Sequence, residues 1–233
     1  MDDEIISGWV RIKNDWYYFH PDGHMAYGGW IKDHTGRACC LDDTGKWIPE
    51  NLTWIGDSLS AYENGYTGIQ NDFYIERIDS FEAKQSKRIL EDQEDNPAGL
   101  TIARQLADEG KISEYLVFQL GTNGDEDPDG EQLTTQEKIE RLVSITASTG
   151  QDIKILLVTV FFLDPEATEL LYDEVNDGFR YMAEQNPDIA VADWAEVCDP
   201  ETDLVDNVHQ TPAGGVKFAD LIRDTIVENF GAH

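Results

Sequence analysis

Ile153-Lys154-Ile155-Leu156-Leu157-Val158-Thr159-Val160 is apolar almost without interruption. A strand with one face in water alternates apolar and polar residues. A continuous run of this length fits a strand buried on both faces, as parallel sheets bury theirs. Shorter candidates lie on either side: Leu52-Thr53-Trp54-Ile55, Phe73 to Ile78, Tyr115 to Leu120 and Ile189 to Trp194. Between them the apolar spacing turns helical over Leu100 to Asp108, Thr135 to Ala147, Glu166 to Gln185 and Pro212 to Asn229. Thr134 and Glu137 have the spacing of a capping box opening the second of these helices. Strands alternating with helices imply an α/β domain with a doubly wound parallel sheet. In such sheets ligands bind beyond the carboxyl ends of the strands, where the strand order reverses.

Three short strings fall in loops at that end of the expected sheet: Gly56-Asp57-Ser58, Gly121-Thr122-Asn123-Gly124 and Asp206-Asn207-Val208-His209. Each alone recurs by chance. Together they hold what acyl transfer through a serine requires: a nucleophile, an oxyanion donor, a base and a carboxylate to orient it. Ser58 follows the first strand, where Leu59-Ser60-Ala61-Tyr62 is expected to open a helix. A serine there offers both its hydroxyl and its own N–H; the plainer reading is a helix cap. The glycines around Asn123 allow a sharp turn toward a reacting carbonyl, although Asn-Gly is also an ordinary turn pair. Asp206 and His209 share a face at their spacing, so the carboxylate can hold Nδ1–H and leave Nε2 free. Of the five histidines, His209 alone pairs this spacing with a following terminal helix.

Before residue 50 the character of the chain changes. Gly8-Trp9, Trp16-Tyr17-Tyr18-Phe19 and Asp22-Gly23 are echoed by Gly29-Trp30, Cys39-Cys40-Leu41-Asp42 and Asp43-Thr44-Gly45, ending at Trp47. A period of about 20 residues fits stacked hairpins. Each is too small to fold alone and must stack on a neighbour or on the main domain. The expected division is therefore residues 1–49 as a β-hairpin repeat module and residues 50–233 as an α/β domain.

Composition narrows the partners. The chain has 233 residues, with 47 Asp+Glu against 17 Lys+Arg and a formal net charge of −30. Such a surface repels phosphate backbones and anionic lipid heads, which argues against nucleic acid and membrane surfaces. No apolar run reaches transmembrane length. Met1-Asp2-Asp3-Glu4 does not resemble a signal peptide; the repeats favour a secreted or wall-associated protein whose leader is absent from this sequence. Cys39, Cys40 and Cys198 are odd in number, lack metal-site spacing, and read as free thiols. Asp125-Glu126-Asp127-Pro128-Asp129-Gly130 copies the start of a calcium-binding EF-hand loop, but Gln136 stands where a bidentate Glu belongs. An acidic surface loop is the reading preferred, with no metal or other cofactor expected.

The N-terminal stretch resembles the cell-wall-binding repeats of choline- and glucan-binding proteins. That resemblance implies a cage for a sugar or a choline cation, with Trp9, Trp16, Tyr18 and Trp30 as candidates. Cys39-Cys40 stands where the repeats usually carry an aromatic pair, so the alternative is that these aromatics only pack the hairpins. The strings after residue 50 resemble blocks one, three and five of the SGNH (GDSL) hydrolases. The resemblance spans residues 51 to 230 and implies a three-layer α/β/α fold with a five-stranded, flavodoxin-like parallel sheet. It implies Ser58 as nucleophile, His209 as base, Asp206 as orienter, and Ser58 and Asn123 as oxyanion donors. Block two usually supplies a glycine N–H; here the best candidate is the N–H of Ser86. Ala83-Lys84-x-Ser86-Lys87, Val175-Asn176, Ala192-Asp193-Trp194 and Val208-His209-x-Thr211-Pro212 are similar to the catalytic domain of peptidoglycan O-acetyltransferases. In that group a multi-spanning membrane part usually precedes the domain, whereas wall-binding-type repeats precede it here. The expectation is thus a serine esterase acting on acetylated carbohydrate or peptidoglycan. An O-acetyltransferase is the first alternative, and a non-catalytic wall-binding protein the second.

Overall fold

The computed structural model describes residues 6–13, 15–34, 36, 38–48, 51–61, 80–125, 133–162 and 169–231. Two antiparallel hairpins come first. β1 (Gly8–Ile12) pairs with β2 (Asp15–Phe19), and β3 (Gly29–Lys32) with β4 (Ala38–Leu41). The five-stranded sheet contains β5 (Leu52–Gly56), β6 (Ser80–Ala83), β7 (Tyr115–Gln119), β8 (Lys154–Val158) and β9 (Ile189–Ala192). Its order is β6-β5-β7-β8-β9 and every pair is parallel. This is the flavodoxin-like order, with the switch point between the loops that follow β5 and β7. The strand expected over Phe73 to Ile78 lies outside the described residues; the edge strand next to β5 is Ser80–Ala83.

The central strands are largely apolar because both faces are covered. Leu116, Phe118, Ile155 and Leu157 face α1 (Gly99–Asp108), α2 (Thr135–Ala147) and α3 (Glu169–Gln185). Their sequence neighbours Tyr115, Val117, Leu156 and Val158 face α6 (Pro212–Phe230) and Trp194, which opens the short α4 (Trp194–Val197). The alternation of side chains along each strand thus divides one apolar run between two cores. Trp194 begins a helix and does not end a strand, as the sequence had suggested. The capping box forms: the Thr134 hydroxyl accepts from the Glu137 N–H while the Glu137 carboxylate accepts from the Thr134 N–H. Among the described residues no helix is long and apolar enough to cross a membrane.

The second hairpin packs on the sheet domain. Trp30 and Cys40 belong to the same buried cluster as Tyr115, Phe218 and Ile226. The Trp30 ring meets Tyr115 edge-on with centroids 6.2 Å apart, and Lys32 pairs with Asp224 on α6. The first hairpin reaches this body through its neighbour: the Trp9 Nε1–H donates to Asp33 at 2.9 Å. None of the three cysteines forms a disulfide.

Candidate active site

β5 ends at Gly56, and the chain turns at once. Asp57 is fully buried; its carboxylate accepts from the Leu59 N–H at 3.0 Å, and its carbonyl accepts from the Ala61 N–H at 2.9 Å. The turn lifts Ser58 to the partly exposed end of the sheet. Residues 58–61 form this turn, and the rest of the helix expected from Leu59 onward lies outside the described residues. Ser60 points inward: its hydroxyl donates to Gln119 Oε1 at 2.6 Å and accepts from the Trp54 indole N–H at 2.9 Å. Gln119 also accepts from the Asp57 N–H at 3.3 Å, tying the end of β7 to the turn after β5. A Cβ on Gly56 would lie 2.5 Å from the Ser60 hydroxyl oxygen, so this turn needs glycine. Sequence reasoning missed Ser60 and Gln119. The available signal was a glutamine closing an otherwise apolar strand.

The second loop is built just as locally. Leu204 and Gln210 bridge across it, and the Val205 N–H donates to the His209 carbonyl at 2.9 Å. Asn207 takes the left-handed conformation that the reversal demands, with φ 71°. Asp206 Oδ1 accepts from the His209 backbone N–H at 2.8 Å, so the carboxylate holds the loop as well as the ring. Behind the loop, the Thr211 hydroxyl caps α6, and Pro212 occupies its first turn. Gly214 is essential to this seat: a Cβ there would lie 2.1 Å from the Asp203 carbonyl oxygen.

These loops meet. His209 Nδ1 lies 2.9 Å from Asp206 Oδ2, and His209 Nε2 lies 3.0 Å from Ser58 Oγ. The carboxylate selects the tautomer with Nδ1 protonated, leaving the Nε2 lone pair for the serine hydroxyl. Asn123 is half-buried beside them; its amide donates to the Lys87 carbonyl at 3.2 Å and faces the Asp57 carboxylate at 3.4 Å. Ser86 lies in the adjoining turn with φ 58°. Among the described residues only Lys13, Ser86 and Asn207 are non-glycine residues with left-handed backbone, and two of the three border this site. The Ser86 backbone holds the left-handed conformation that a glycine adopts most readily. Burial pushes the Asp57 carboxyl up to about 6, opposed by the Leu59 N–H and by the nearby His209.

The aromatic candidates divide. Trp9 and Trp16, with Cys39 and Trp47, line a hollow of about 270 Å³ on the hairpins. Trp30 is 0% exposed and Tyr18 2%, so neither offers a face to a ligand. Trp30 is consumed by packing on Tyr115, and Tyr18 by the small core with Ile31, Cys39 and Leu41. Trp47, which the sequence reading did not single out, sits 5.9 Å from Trp9 in their stead. The acidic string at 125–130 is described only at Asp125, whose carboxylate accepts from the Leu90 N–H and pairs with Lys138. That engagement makes Asp125 a structural tie.

Residues 6–42 match the choline-binding repeat family. The solved structures that share the fold include the C-terminal catalytic domain of Streptococcus pneumoniae peptidoglycan O-acetyltransferase A, carrying a methylsulfonyl adduct. It is 22% identical, with a TM-score of 0.51, over 78% of this chain and 93% of that one. A carbohydrate acetylesterase from Sinorhizobium meliloti aligns at 17% identity and a TM-score of 0.54, over 77% and 99% of the two chains. A family 3 carbohydrate esterase from Clostridium thermocellum aligns at 13% identity and a TM-score of 0.51, over 76% and 95%. Comparison with curated proteins gave no significant match. The chain thus joins a segment that matches the choline-binding repeat to an α/β fold shared with these esterase and O-acetyltransferase domains.

Proposed function

We propose that this protein is a serine esterase that removes acetyl groups from carbohydrate, with residues 1–49 as a wall-binding segment and residues 50–233 as the catalytic one. The observation that carries the reading is the continuous chain of contacts from Asp206 through His209 to Ser58, with Nε2 at 3.0 Å from Oγ. Ser58 Oγ attacks the acetyl carbonyl carbon as His209 Nε2 takes its proton. Asp206 stabilises the imidazolium that forms. The oxyanion is held by N–H donors: Ser58, the Asn123 amide and Ser86. Collapse expels the sugar oxygen, protonated by His209, and leaves acetyl-Ser58. Water, deprotonated by His209, then releases acetate and regenerates the serine.

The same acyl-enzyme could pass its acetyl group to a sugar hydroxyl. The likeness to an O-acetyltransferase domain and the motifs around Ser86, Asn176, Asp193 and His209 favour keeping that as the second reading. The hairpin hollow, with three indole rings, suits a quaternary ammonium such as choline, which would hold the enzyme at a choline-bearing wall outside the cell. One assay tests the set. An activated acetyl ester is supplied with and without a chitooligosaccharide acceptor, using Ser58→Ala as control, and products are weighed by mass spectrometry. Ser58-dependent acetate alone supports the esterase. An acceptor heavier by one acetyl group supports the transferase. Equal turnover in Ser58→Ala refutes both.

A further inference from the structure

The turn that carries Ser86 contains a buried cation that the chemistry above does not use. Lys87 is 3% exposed, and its ammonium meets only neutral acceptors among the described residues: Asn96 Oδ1 at 3.0 Å and the Pro97 carbonyl at 2.8 Å. It forms no ion pair with a described residue, unlike most lysines of this chain. A buried ammonium hydrogen-bonded only to neutral groups is expensive to desolvate, so its place in this turn calls for a reason. Burial accordingly pulls its pKa below the ordinary lysine value.

The surrounding hydrogen bonds supply that reason. The Lys87 N–H donates to the Lys84 carbonyl at 3.3 Å, closing a turn with Gln85 and Ser86 at its centre. Each outward carbonyl of this turn is held from a different direction. The Gln85 carbonyl accepts from Asn96 Nδ2 at 2.8 Å, the Ser86 carbonyl from Gln93 Nε2 at 3.3 Å, and the Lys87 carbonyl from Asn123 Nδ2 at 3.2 Å. Asn96 therefore binds the turn twice, through Gln85 and through the Lys87 ammonium. The Ser86 N–H, by contrast, has no acceptor among the described residues. A backbone with its carbonyls clamped and one N–H left over, in a left-handed conformation, is preorganised to donate to an incoming anion.

We propose that Lys87 is a positioning residue: its buried ammonium, anchored on Asn96 and Pro97, fixes the 84–87 turn so that the Ser86 N–H is held ready for the oxyanion, beside the Asn123 amide that the Lys87 carbonyl ties to the same turn. The catalytic half of this proposal rests on the reading of Ser58 as nucleophile. The test is Lys87→Met, of similar length and without charge, beside Asn96→Ala, which removes the anchor and leaves the lysine. With concentrations normalised by titration of folded protein, both variants should lose about 10- to 100-fold in kcat while KM moves by less than about three-fold. Amide hydrogen exchange over residues 84–91 should quicken, with the rest of the sheet domain protected as before. Were Lys87 only a packing residue, melting temperature would fall while kcat per folded molecule stayed put, and that result overturns the proposal. So does unchanged exchange of the turn in both variants. If the unmodified protein shows no Ser58-dependent turnover, the esterase reading fails separately, and the exchange data alone decide whether Lys87 holds the turn.

Discussion

The two hairpins open with the same Gly-Trp pair, yet Trp9 and Trp30 meet opposite fates. Trp9 borders an open aromatic hollow with Trp16 and Trp47, while Trp30 is wholly buried against Tyr115 in a core that includes α6. The first hairpin leaves Trp9 and Trp16 lining an open hollow, though Tyr18 is buried; the second is part of the sheet domain's own packing. Equivalent positions in a repeat are thus given different work by whatever lies against them. Cys39 and Cys40 fit this division, because small thiols allow the second hairpin to seat closely where an aromatic pair would hold it off.

Substitutions can break or sharpen this contrast. The largest effect is expected from Ser58→Ala. Turnover of an acetyl ester should fall by at least about 10⁴-fold while retention on a choline matrix stays unchanged; loss of both would mean that site and hollow are not separate. Next comes Trp30→Ala, which should cost about 3–5 kcal/mol in urea unfolding by opening a cavity under α6. Asn123→Ala should follow, lowering kcat about 100-fold with little change in unfolding midpoint. Trp16→Ala, at a ring 40% exposed, should weaken choline retention by about 10-fold and leave kcat alone. If Trp16→Ala instead destabilised the chain as Trp30→Ala does, the contrast between the hairpins would collapse.

The smallest effect concerns Asp57. Its folded-state pKa, raised to about 6 by burial, exceeds the unfolded value. The folded state therefore binds the extra proton between about pH 4 and pH 6. This group's stabilising contribution is complete below that window and is lost as pH rises through it. Asp57→Asn should flatten that part of the stability profile, a difference on the order of 1 kcal/mol between pH 4.5 and 7. An unchanged slope in urea titrations at those pH values would contradict the shift.

Much of this was legible in the residues. The unbroken apolar run at 153–160 announced a strand covered on both sides, and Leu116 to Phe118 and Ile155 to Val158 do divide their side chains between two cores. Capping chemistry at Thr134 marked a helix start that the structure retains. Ser58, His209 and Asp206 could be named because a nucleophile, a base and its carboxylate are restricted residue types at characteristic places in such a sheet. The turn after Ser58 is held locally by the Asp57 carboxylate and carbonyl, and the helix expected beyond it lies outside the described residues. Gln119, Ser60 and Lys87 were overlooked because nothing in their immediate sequence says what they touch. Gln119 meets Ser60 across 59 positions, and Asn123 meets Lys87 across 36.

By itself, then, the sequence determined the periodicities and the chemical kit: which runs are strands, which are helices, and which three residue types can move a proton to and from a serine. Those properties reside in single residues and their near neighbours, where local sterics and apolar patterning act. Only the tertiary structure decided that Trp30 is core and Trp16 is surface, that Trp47 takes the place of Tyr18 in the hollow, and that a buried lysine braces the turn at Ser86. Burial and hydrogen-bond satisfaction depend on what arrives from distant parts of the chain, and that is fixed only when the sheet and its covering helices have closed.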